Sequence, residues 1–176
     1  MKDASFITEK PIDLNALLAR SHHPAAGALV LFSGEVRNHN EGRAVLRLEY
    51  EAHTLLAEKM MAAICQEARE RWELNLADCV HRVGPVAIGE SAVAVLTASA
   101  HRGEAYAANR YIIDRIKHEV PLWKKEFFAD GTSEWSRGCQ HETHESDAEH
   151  GTGDVHDTHA HHEAVKAAPA PATREA

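Results

Sequence analysis

The sequence predicts an α+β fold with a mostly antiparallel sheet, and three patterns support this class. Residues 27–34 form a continuous apolar run between Gly27 and Gly34, as in a strand buried on both faces. Apolar residues recur at spacings of three and four in residues 54–72 and 103–119, as in helices packed on one side. Short strand-like segments flank these helices in the order β-β-α-β-β-α-β-β, which is typical of α+β domains.

A strand with one solvated face is predicted directly before the first long helix. Leu46, Leu48 and Tyr50 are expected on its buried face, and Val45 is expected on the solvated face with charged residues. Thr54 follows this strand and can cap the helix. The predicted core stripe of that helix repeats every four residues and consists of Leu56, Met60, Ile64, Ala68 and Trp72.

The second long helix follows directly on a predicted strand, residues 91–100. Small side chains on one face of this strand allow the helix to pack against it. His101 and Arg102 then lie at the helix N-terminus, where unpaired backbone N–H groups favour anions. Pro121 ends the helix, because proline disfavours helical geometry in the residue before it.

Three lysines lie at the other end of this helix. Lys117 is in its last turn, and Lys124 and Lys125 follow the break at Pro121. An enzyme that needs an amine nucleophile or base beside an anion clamp could use these groups. The alternative is structural, because the helix macrodipole alone favours a lysine in the last turn by a few tenths of a kcal/mol.

A polar, turn-rich segment, residues 35–43, follows the buried strand 27–34. It contains two arginines and a histidine, and binding groups are often displayed where strands end in such loops. The alternative is a plain hairpin turn, which Asn40 and Gly42 favour.

Length and composition limit the class of protein. The chain has 176 residues, 44% of them hydrophobic, which is enough for one domain with a real core. The three cysteines have no metal-ligand spacing, and with no apolar leader they favour a reducing cytoplasm. No run approaches the roughly 18 apolar residues of a membrane span. The formal net charge is −8, so no general nucleic-acid surface is expected.

The chain is predicted to divide into a folded domain, residues 1–137, and a disordered acidic tail, residues 138–176. From Cys139 to Ala176 there are eight acidic and two basic residues, seven histidines and almost no large apolar side chains. Histidine-rich tracts can bind zinc, nickel or copper. The alternative is a soluble tail with weak, adventitious metal affinity, since no ligand spacing recurs.

Five segments together resemble the catalytic (large) subunit of molybdopterin synthase. The resemblance covers about residues 5–137 and excludes the histidine-rich tail. It implies an α/β-hammerhead-like fold with an additional small antiparallel subdomain. The segments that carry it are Phe32-Ser-Gly-Glu-Val-Arg-Asn-His-Asn40, Leu48-Glu-Tyr-Glu51, His81-Arg-Val-Gly84, Ala100-His-Arg102, and Ile116-Lys117 with Pro121-Leu-Trp-Lys-Lys-Glu126.

The resemblance implies a cytoplasmic sulfurtransferase of molybdenum-cofactor biosynthesis. Such enzymes build the dithiolene of molybdopterin on cyclic pyranopterin monophosphate. The sulfur comes from a small ubiquitin-like partner whose C-terminal Gly-Gly ends in a thiocarboxylate. Two large subunits form a central homodimer, and one small subunit docks at each end to give a heterotetramer. No cofactor and no metal site is expected, and the cysteines receive no role because the partner brings the sulfur.

The matched positions imply roles for nine residues. Lys117 corresponds to the lysine beside the partner's terminal carboxyl carbon, and Lys124 to a second essential lysine, so both are candidate catalytic residues. Which of the two is the base stays open. The remaining candidates are expected to bind the pterin or its phosphate and are Glu35, Val36, Arg37, His101, Arg102, Lys125 and Glu126.

A competing hypothesis is a protein without enzymatic activity. The chain could be a docking platform for a ubiquitin-like protein, or a metal buffer built on its tail. A docking platform would not need all of the lysines, arginines and histidine named above. A metal buffer would need only the tail, so deletion of residues 139–176 separates these functions.

Overall fold

The structure is a computed structural model and describes residues 5–136, within which lie three helices and nine strands. The predicted histidine-rich tail, and the boundary at residue 137 or 138, lie outside the described residues. The helices are α1 (Leu14–Ala19), α2 (Thr54–Trp72) and α3 (Arg102–Glu119). The strands are β1 (Ile7–Thr8), β2 (Ala28–Glu35), β3 (His39–Asn40), β4 (Arg43–Ala52), β5 (Leu76–Arg82), β6 (Gly84–Ala87), β7 (Ser91–Ser99), β8 (Leu122–Phe128) and β9 (Ser133–Ser136).

The strands form two sheets. The first has the order β1-β5-β7-β2, and the second has the order β3-β4-β8-β9, with β6 paired to β4. Every pairing is antiparallel except the one between β1 and β5. The predicted α+β class with a mostly antiparallel sheet is therefore confirmed, and the second sheet, which has five strands, is the additional antiparallel unit that the resemblance implied.

Helices cover both faces of the first sheet. On one face α2 and α3 pack against β5 and β7, and Met61, Ile112 and Val95 are fully buried there. On the other face Leu17 of α1 packs with Leu96 of β7. Burial of large aliphatic side chains stabilises each layer by about 1.5–3 kcal/mol per residue. The rigid layer of β7 and α3 forms one side of the site described below.

The predicted contact between strand and helix around residue 100 is confirmed, but it uses the other face of the strand. Thr97 Oγ1 donates to the Ala105 carbonyl at 2.8 Å, and Asn109 donates to the Val95 carbonyl at 3.1 Å. The face with Ala94 and Leu96 packs against α1 instead. Hydrogen bonds, rather than small side chains, fix the start of α3 on the sheet.

The prediction that Leu46 lies on the buried face of its strand is wrong. Leu46 is 58% exposed, and Val45, expected on the solvated face, is buried. The register between β4 and β8 shifts between Val45 and Arg47, so Leu46 is an extra residue in the ladder. A bulge of this kind exchanges the two faces of a strand, which alternation in sequence does not reveal.

The start of α2 also differs from the prediction. His53 is the capping residue, because its Nδ1 accepts from the backbone N–H of Leu56 at 3.4 Å, and Thr54 is the first helical residue. Leu56 was expected in the core but is 44% exposed, whereas Ala57 is fully buried. The buried stripe is therefore offset by one residue at the start of the helix.

None of the helices within residues 5–136 is long and apolar enough to cross a membrane.

Candidate active site

A cavity of about 360 Å³ lies beside the C-terminal end of α3. Residues from both sheets and from α3 line it. Three of these residues are the cations Arg37, Lys117 and Lys124, and two are the acids Glu35 and Glu126. Concave sites of this volume with a few convergent polar groups are typical ligand pockets.

The end of α3 places Lys117 at this cavity. The helix ends at Glu119, and Val120 is extended, because Pro121 follows. The chain then turns back as β8, so residues close in sequence to Lys117 approach the same space. The predicted end of this helix at Pro121 is confirmed.

The register of β8 determines which of its side chains face the cavity. Tyr50 pairs with Lys124 and Leu48 pairs with Glu126, so β4 and β8 present these side chains on one face. Successive residues of a strand point to opposite faces. Lys125, between them, packs instead against the Trp135 ring, with its Nζ 5.5 Å from the ring centroid.

A chain of hydrogen bonds connects two of the cations. Lys124 Nζ lies 2.6 Å from Glu126 Oε1, and Asn40 Nδ2 donates to Glu126 Oε2 at 3.0 Å. Arg37 donates to Asn40 Oδ1 at 3.1 Å. Glu126 is only 3% exposed, and a buried carboxylate is tolerated only when it is paired and hydrogen-bonded. Both of its oxygens have a partner here.

A second cavity, of about 460 Å³, also reaches Lys117. It is a groove between β2 and α3, and its lining includes Val30, Phe32 and Tyr106. Lys117 Nζ lies 6.0 Å from the centroid of the Phe32 ring, within range of a weak cation–π contact. Ile113 and Lys117 line both cavities, so Lys117 lies where the two meet.

His81 forms part of the wall of the first cavity and is buried, with 6% exposure. Its Nδ1 donates to the Arg82 carbonyl at 2.8 Å, and the Tyr50 ring packs edge-on against it at 4.9 Å between centroids. The pKa of His81 is lowered to about 4, mainly by burial. The hydrogen bond to the Arg82 carbonyl acts in the opposite direction, and the positive charge of Lys117 contributes to the lowering. The imidazole is therefore neutral at pH 7.

This depressed pKa predicts a loss of stability in acid. Between pH 6.5 and pH 4 the unfolded chain binds a proton at His81 that the folded chain does not, so the free energy of unfolding falls as the pH falls. The full effect is about 3 kcal/mol and is complete near pH 4. Urea unfolding of wild type and His81→Gln at pH 7.5 and pH 4.5 measures it. The variant is expected to lose less stability than wild type across this interval.

His118→Gln is the matched control, because His118 is exposed near the end of α3. It is expected to show the pH dependence of wild type. If His81→Gln and wild type lose equal stability between the two pH values, His81 is not the group responsible.

Comparison with known proteins identifies the family. The model of the MoaE protein family matches residues 7–119, which is more than half of the chain. This chain is a member of the MoaE protein family. The match covers most of the cavity residues, including Arg37, His81 and Lys117.

Named relatives and solved structures agree with this MoaE assignment. The molybdopterin synthase catalytic subunit of Staphylococcus carnosus is 43% identical over 151 residues, which are 86% of this chain and 99% of the relative. The crystal structure of molybdopterin synthase from Staphylococcus aureus matches with a TM-score of 0.71 at 40% identity, covering 75% of this chain and 96% of that one. A chain from the complex of subunits 1 and 2 of the molybdopterin-converting factor of Helicobacter pylori shares the fold at 20% identity, with a TM-score of 0.60, covering 74% of this chain and 88% of that one.

The first cavity of this MoaE family member brings together five of the nine residues that the sequence singled out. They come from segments up to 91 positions apart, between the end of β2 and the middle of β8. Their convergence in one cavity could not be derived from spacing in the sequence. The five residues are Glu35, Arg37, Lys117, Lys124 and Glu126.

Two further candidates lie close to this cavity without lining it. Val36 is 3% exposed and packs with Leu48 and Phe128 in a separate apolar cluster. Its backbone N–H donates to the Glu90 carbonyl at 3.1 Å, which anchors the segment that presents Arg37. Lys125 lies on the opposite face of β8, as described above.

His101 and Arg102 lie at the other end of α3. Both side chains are exposed, and His101 is the N-cap residue of the helix. Fifteen helical steps separate Arg102 from Lys117, which corresponds to roughly 22 Å at 1.5 Å per residue. Within one chain, the cavity is therefore lined by Arg37 and by the two lysines at the end of α3 and in β8, whereas the segment with His101 and Arg102 lies outside it.

Four polar residues of the cavity, namely His39, Asn40, Tyr50 and His81, received no role from the sequence. Asn40 was read as a turn residue, although its side chain bonds Glu126. His81 and Tyr50 lie within strands, where the sequence pattern indicates ordinary core positions. The signal that could have identified them is their presence in the segments that carry the family resemblance. The part of the chain that the structure describes holds no cluster of three or more metal-ligating side chains.

Proposed function

We propose that this chain is the catalytic subunit of a molybdopterin synthase and transfers sulfur to cyclic pyranopterin monophosphate. One observation carries the proposal, namely that two separate cavities meet at Lys117. One cavity contains the cations that an anionic substrate requires, and the other is a groove that can admit a peptide end. A sulfur-transfer site must hold a small acceptor and a protein-bound donor at the same point.

The first cavity suits a phosphorylated pterin. Arg37 and Lys124 supply positive charge, and guanidinium groups bind phosphate oxygens through paired, charge-assisted hydrogen bonds. Leu48, Tyr50 and Ile116 supply apolar wall for a flat heterocycle. Neutral His81 in the same wall adds a polar contact without an additional charge.

The groove between β2 and α3 suits the C-terminal tail of a small partner subunit. A Gly-Gly terminus has no side chains, so it can pass beside Phe32 and reach Lys117. The partner is proposed to be a ubiquitin-like protein whose terminus is a thiocarboxylate. The Helicobacter pylori complex, which joins subunits 1 and 2 of a molybdopterin-converting factor, supports a partner of this kind.

The chemistry requires proton transfers that the two lysines can provide. The thiocarboxylate sulfur attacks a pterin carbon, and the oxygen on that carbon leaves as water or hydroxide. Water then hydrolyses the thioester, which releases the partner as a carboxylate and leaves the sulfur on the pterin. Negative charge develops in each step, and preorganised ammonium groups stabilise it. Two such transfers complete the dithiolene.

Lys117 and Lys124 are the proposed catalytic residues. Lys117 lies where the donor and the acceptor meet, so its amine can contact the acyl carbon of the partner. Lys124 is held by Glu126 beside the same cavity and can protonate the leaving oxygen. Arg37, Glu35 and the surrounding backbone at Val36 are proposed to bind the pterin, and Lys125 to support the same segment.

His101 and Arg102 are proposed to act in the cavity of a second copy of the chain. They lie too far along α3 to reach the cavity of their own chain, yet a homodimer can bring the start of one α3 to the end of another. A two-fold dimer would then have two equivalent composite sites. This arrangement accounts for an exposed histidine and an exposed arginine at a helix N-terminus, which is a favourable position for phosphate.

Reconstitution with purified components tests the proposed activity. Full-length protein, thiocarboxylated partner and cyclic pyranopterin monophosphate are mixed, and the pterin product is quantified. The protein without residues 139–176 is expected to turn over within about twofold of full length, because residues 30–126 of the described chain supply the lining of both cavities and all of the proposed site residues. Absence of product with the full-length protein would refute the function. Loss of turnover after truncation would instead assign the tail a part in it.

A further inference from the structure

Asn40 connects two parts of the cavity that are distant in sequence. Its amide oxygen accepts from Arg37 at 3.1 Å, and its amide nitrogen donates to Glu126 at 3.0 Å. A guanidinium can only donate and an ionised carboxylate can only accept, so these two partners fix the orientation of the amide. Asparagine has the donor and the acceptor that this position requires.

The backbone holds Asn40 rigidly for this contact. Asn40 pairs with Arg43 in the hairpin between β3 and β4. The two residues of the turn, Glu41 and Gly42, have φ values of 47° and 76°, as expected for a tight hairpin. The side chain of Asn40 therefore projects toward Glu126 from a fixed point.

The other side of the contact is equally constrained. Glu126 is 3% exposed and pairs with Leu48 in the ladder between β4 and β8. Its second oxygen holds Lys124 at 2.6 Å. A shift of the Asn40 amide would therefore change the environment of both Arg37 and Lys124.

We propose that Asn40 is a positioning residue that couples Arg37 to the Glu126–Lys124 pair and so sets the geometry of the two cations in the cavity. This inference rests on the proposed function, because it concerns the binding and turnover of the same anionic pterin. Asn40 acts through Arg37 and Lys124 and forms no bond with the substrate.

Two substitutions separate this role from a general effect on folding. Asn40→Ala removes both hydrogen bonds. Asn40→Asp keeps the shape and the acceptor for Arg37 but places a carboxylate against Glu126. Asn38→Ala is the matched control, because Asn38 lies in the same segment, is not among the described residues that line the cavity, and hydrogen-bonds the neighbouring His39 through its side chain. Thermal unfolding of each variant verifies that the fold is intact.

We expect a loss of kcat/KM for the pterin whose size depends on the presence of Arg37. Asn40→Ala is expected to lower kcat/KM for the pterin about tenfold, and Asn40→Asp at least as much, whereas the KM for the thiocarboxylated partner stays within about twofold. In an Arg37→Ala background, the same Asn40→Ala substitution is expected to cost about threefold or less. Asn38→Ala is expected to match wild type.

Two results would overturn the inference. One is wild-type turnover in both Asn40 variants. The other is an equal loss from Asn40→Ala with and without Arg37, since independent effects add in free energy. Both results require that the wild-type protein is active in the same assay. An inactive wild type would refute the proposed function instead.

Discussion

Lys117→Ala is expected to lower dithiolene formation by about 10³-fold, the typical contribution of a positioned acid or base. The side chain lies where the first cavity and the groove meet, and no other amine of the described chain lines both. The substitution removes a half-buried side chain at the end of a helix, and the helix core at Ile112 and Ile116 stays in place. The partner is therefore expected to bind with unchanged affinity. Quantifying pterin product and measuring partner binding by calorimetry test both statements.

Lys59→Ala is the matched control, because Lys59 is an exposed lysine on α2. It is expected to retain wild-type turnover. Normal turnover of the Lys117 variant would remove Lys117 from the mechanism. Loss of partner binding would instead make Lys117 a docking residue.

The same variant tests whether the site is shared between two chains. Neither Lys117→Ala nor Arg102→Ala alone is expected to turn over. In a randomly mixed sample half of the dimers are hybrids, and each hybrid has one intact composite site, so about a quarter of wild-type activity is expected. No recovery after mixing and re-equilibration would show that Arg102 does not complete the site of a second copy.

Lys124→Met is expected to impair both turnover and folding. It leaves the Glu126 carboxylate, whose side chain is 4% exposed, without its ammonium partner. Breaking a buried ion pair by removal of one member costs about 3 kcal/mol or more, because the remaining charge stays buried. The bond from Asn40 persists but does not neutralise the charge. Urea unfolding at pH 7.5 measures the loss in stability.

A second substitution separates these two effects. Lys124→Met combined with Glu126→Gln removes the stranded charge and is expected to recover most of the stability while turnover stays low. Lys125→Met is the control for stability, since Lys125 lies on the opposite face of β8 and its ring contacts contribute about 1 kcal/mol at most. If the double variant is as unstable as Lys124→Met, the stranded carboxylate is not the cause.

Local signals in the sequence were sufficient for most of the secondary structure. Pro121 ends α3 where expected, because its effect on the preceding residue is purely local. The bulge at Leu46 was not predictable, because it depends on the pairing of β4 with β8, whose partners Arg47 and Phe127 beside the bulge are 80 residues apart in the chain. The alternation of side chains describes one strand and contains no information on which of its residues will lack a partner in the neighbouring strand.

The site was predicted less completely than the fold. Charged residues such as Arg37 and Lys117 are candidate functional residues in any sequence, and both line the cavity. Asn40 acquires its chemistry from two hydrogen-bonding partners, Arg37 and Glu126, and His81 from burial and one hydrogen bond; none of these contacts is visible in sequence. His101 lies far from the cavity of its own chain because α3 is 18 residues long. The residue pattern predicts a helix of about this length, but it contains no information on which residues a second copy would bring to the cavity.

The two cavities that meet at Lys117 have a kinetic consequence. The two cavities share Ile113 and Lys117 but are otherwise lined by different residues. If the pterin and the donor bind as proposed, they can occupy the enzyme together, and neither has to leave before the other enters. Steady-state rates should then follow a sequential, ternary-complex pattern rather than a ping-pong one. A molecule that blocks the groove would act as a non-competitive inhibitor toward the pterin, so each half of the reaction could be inhibited separately.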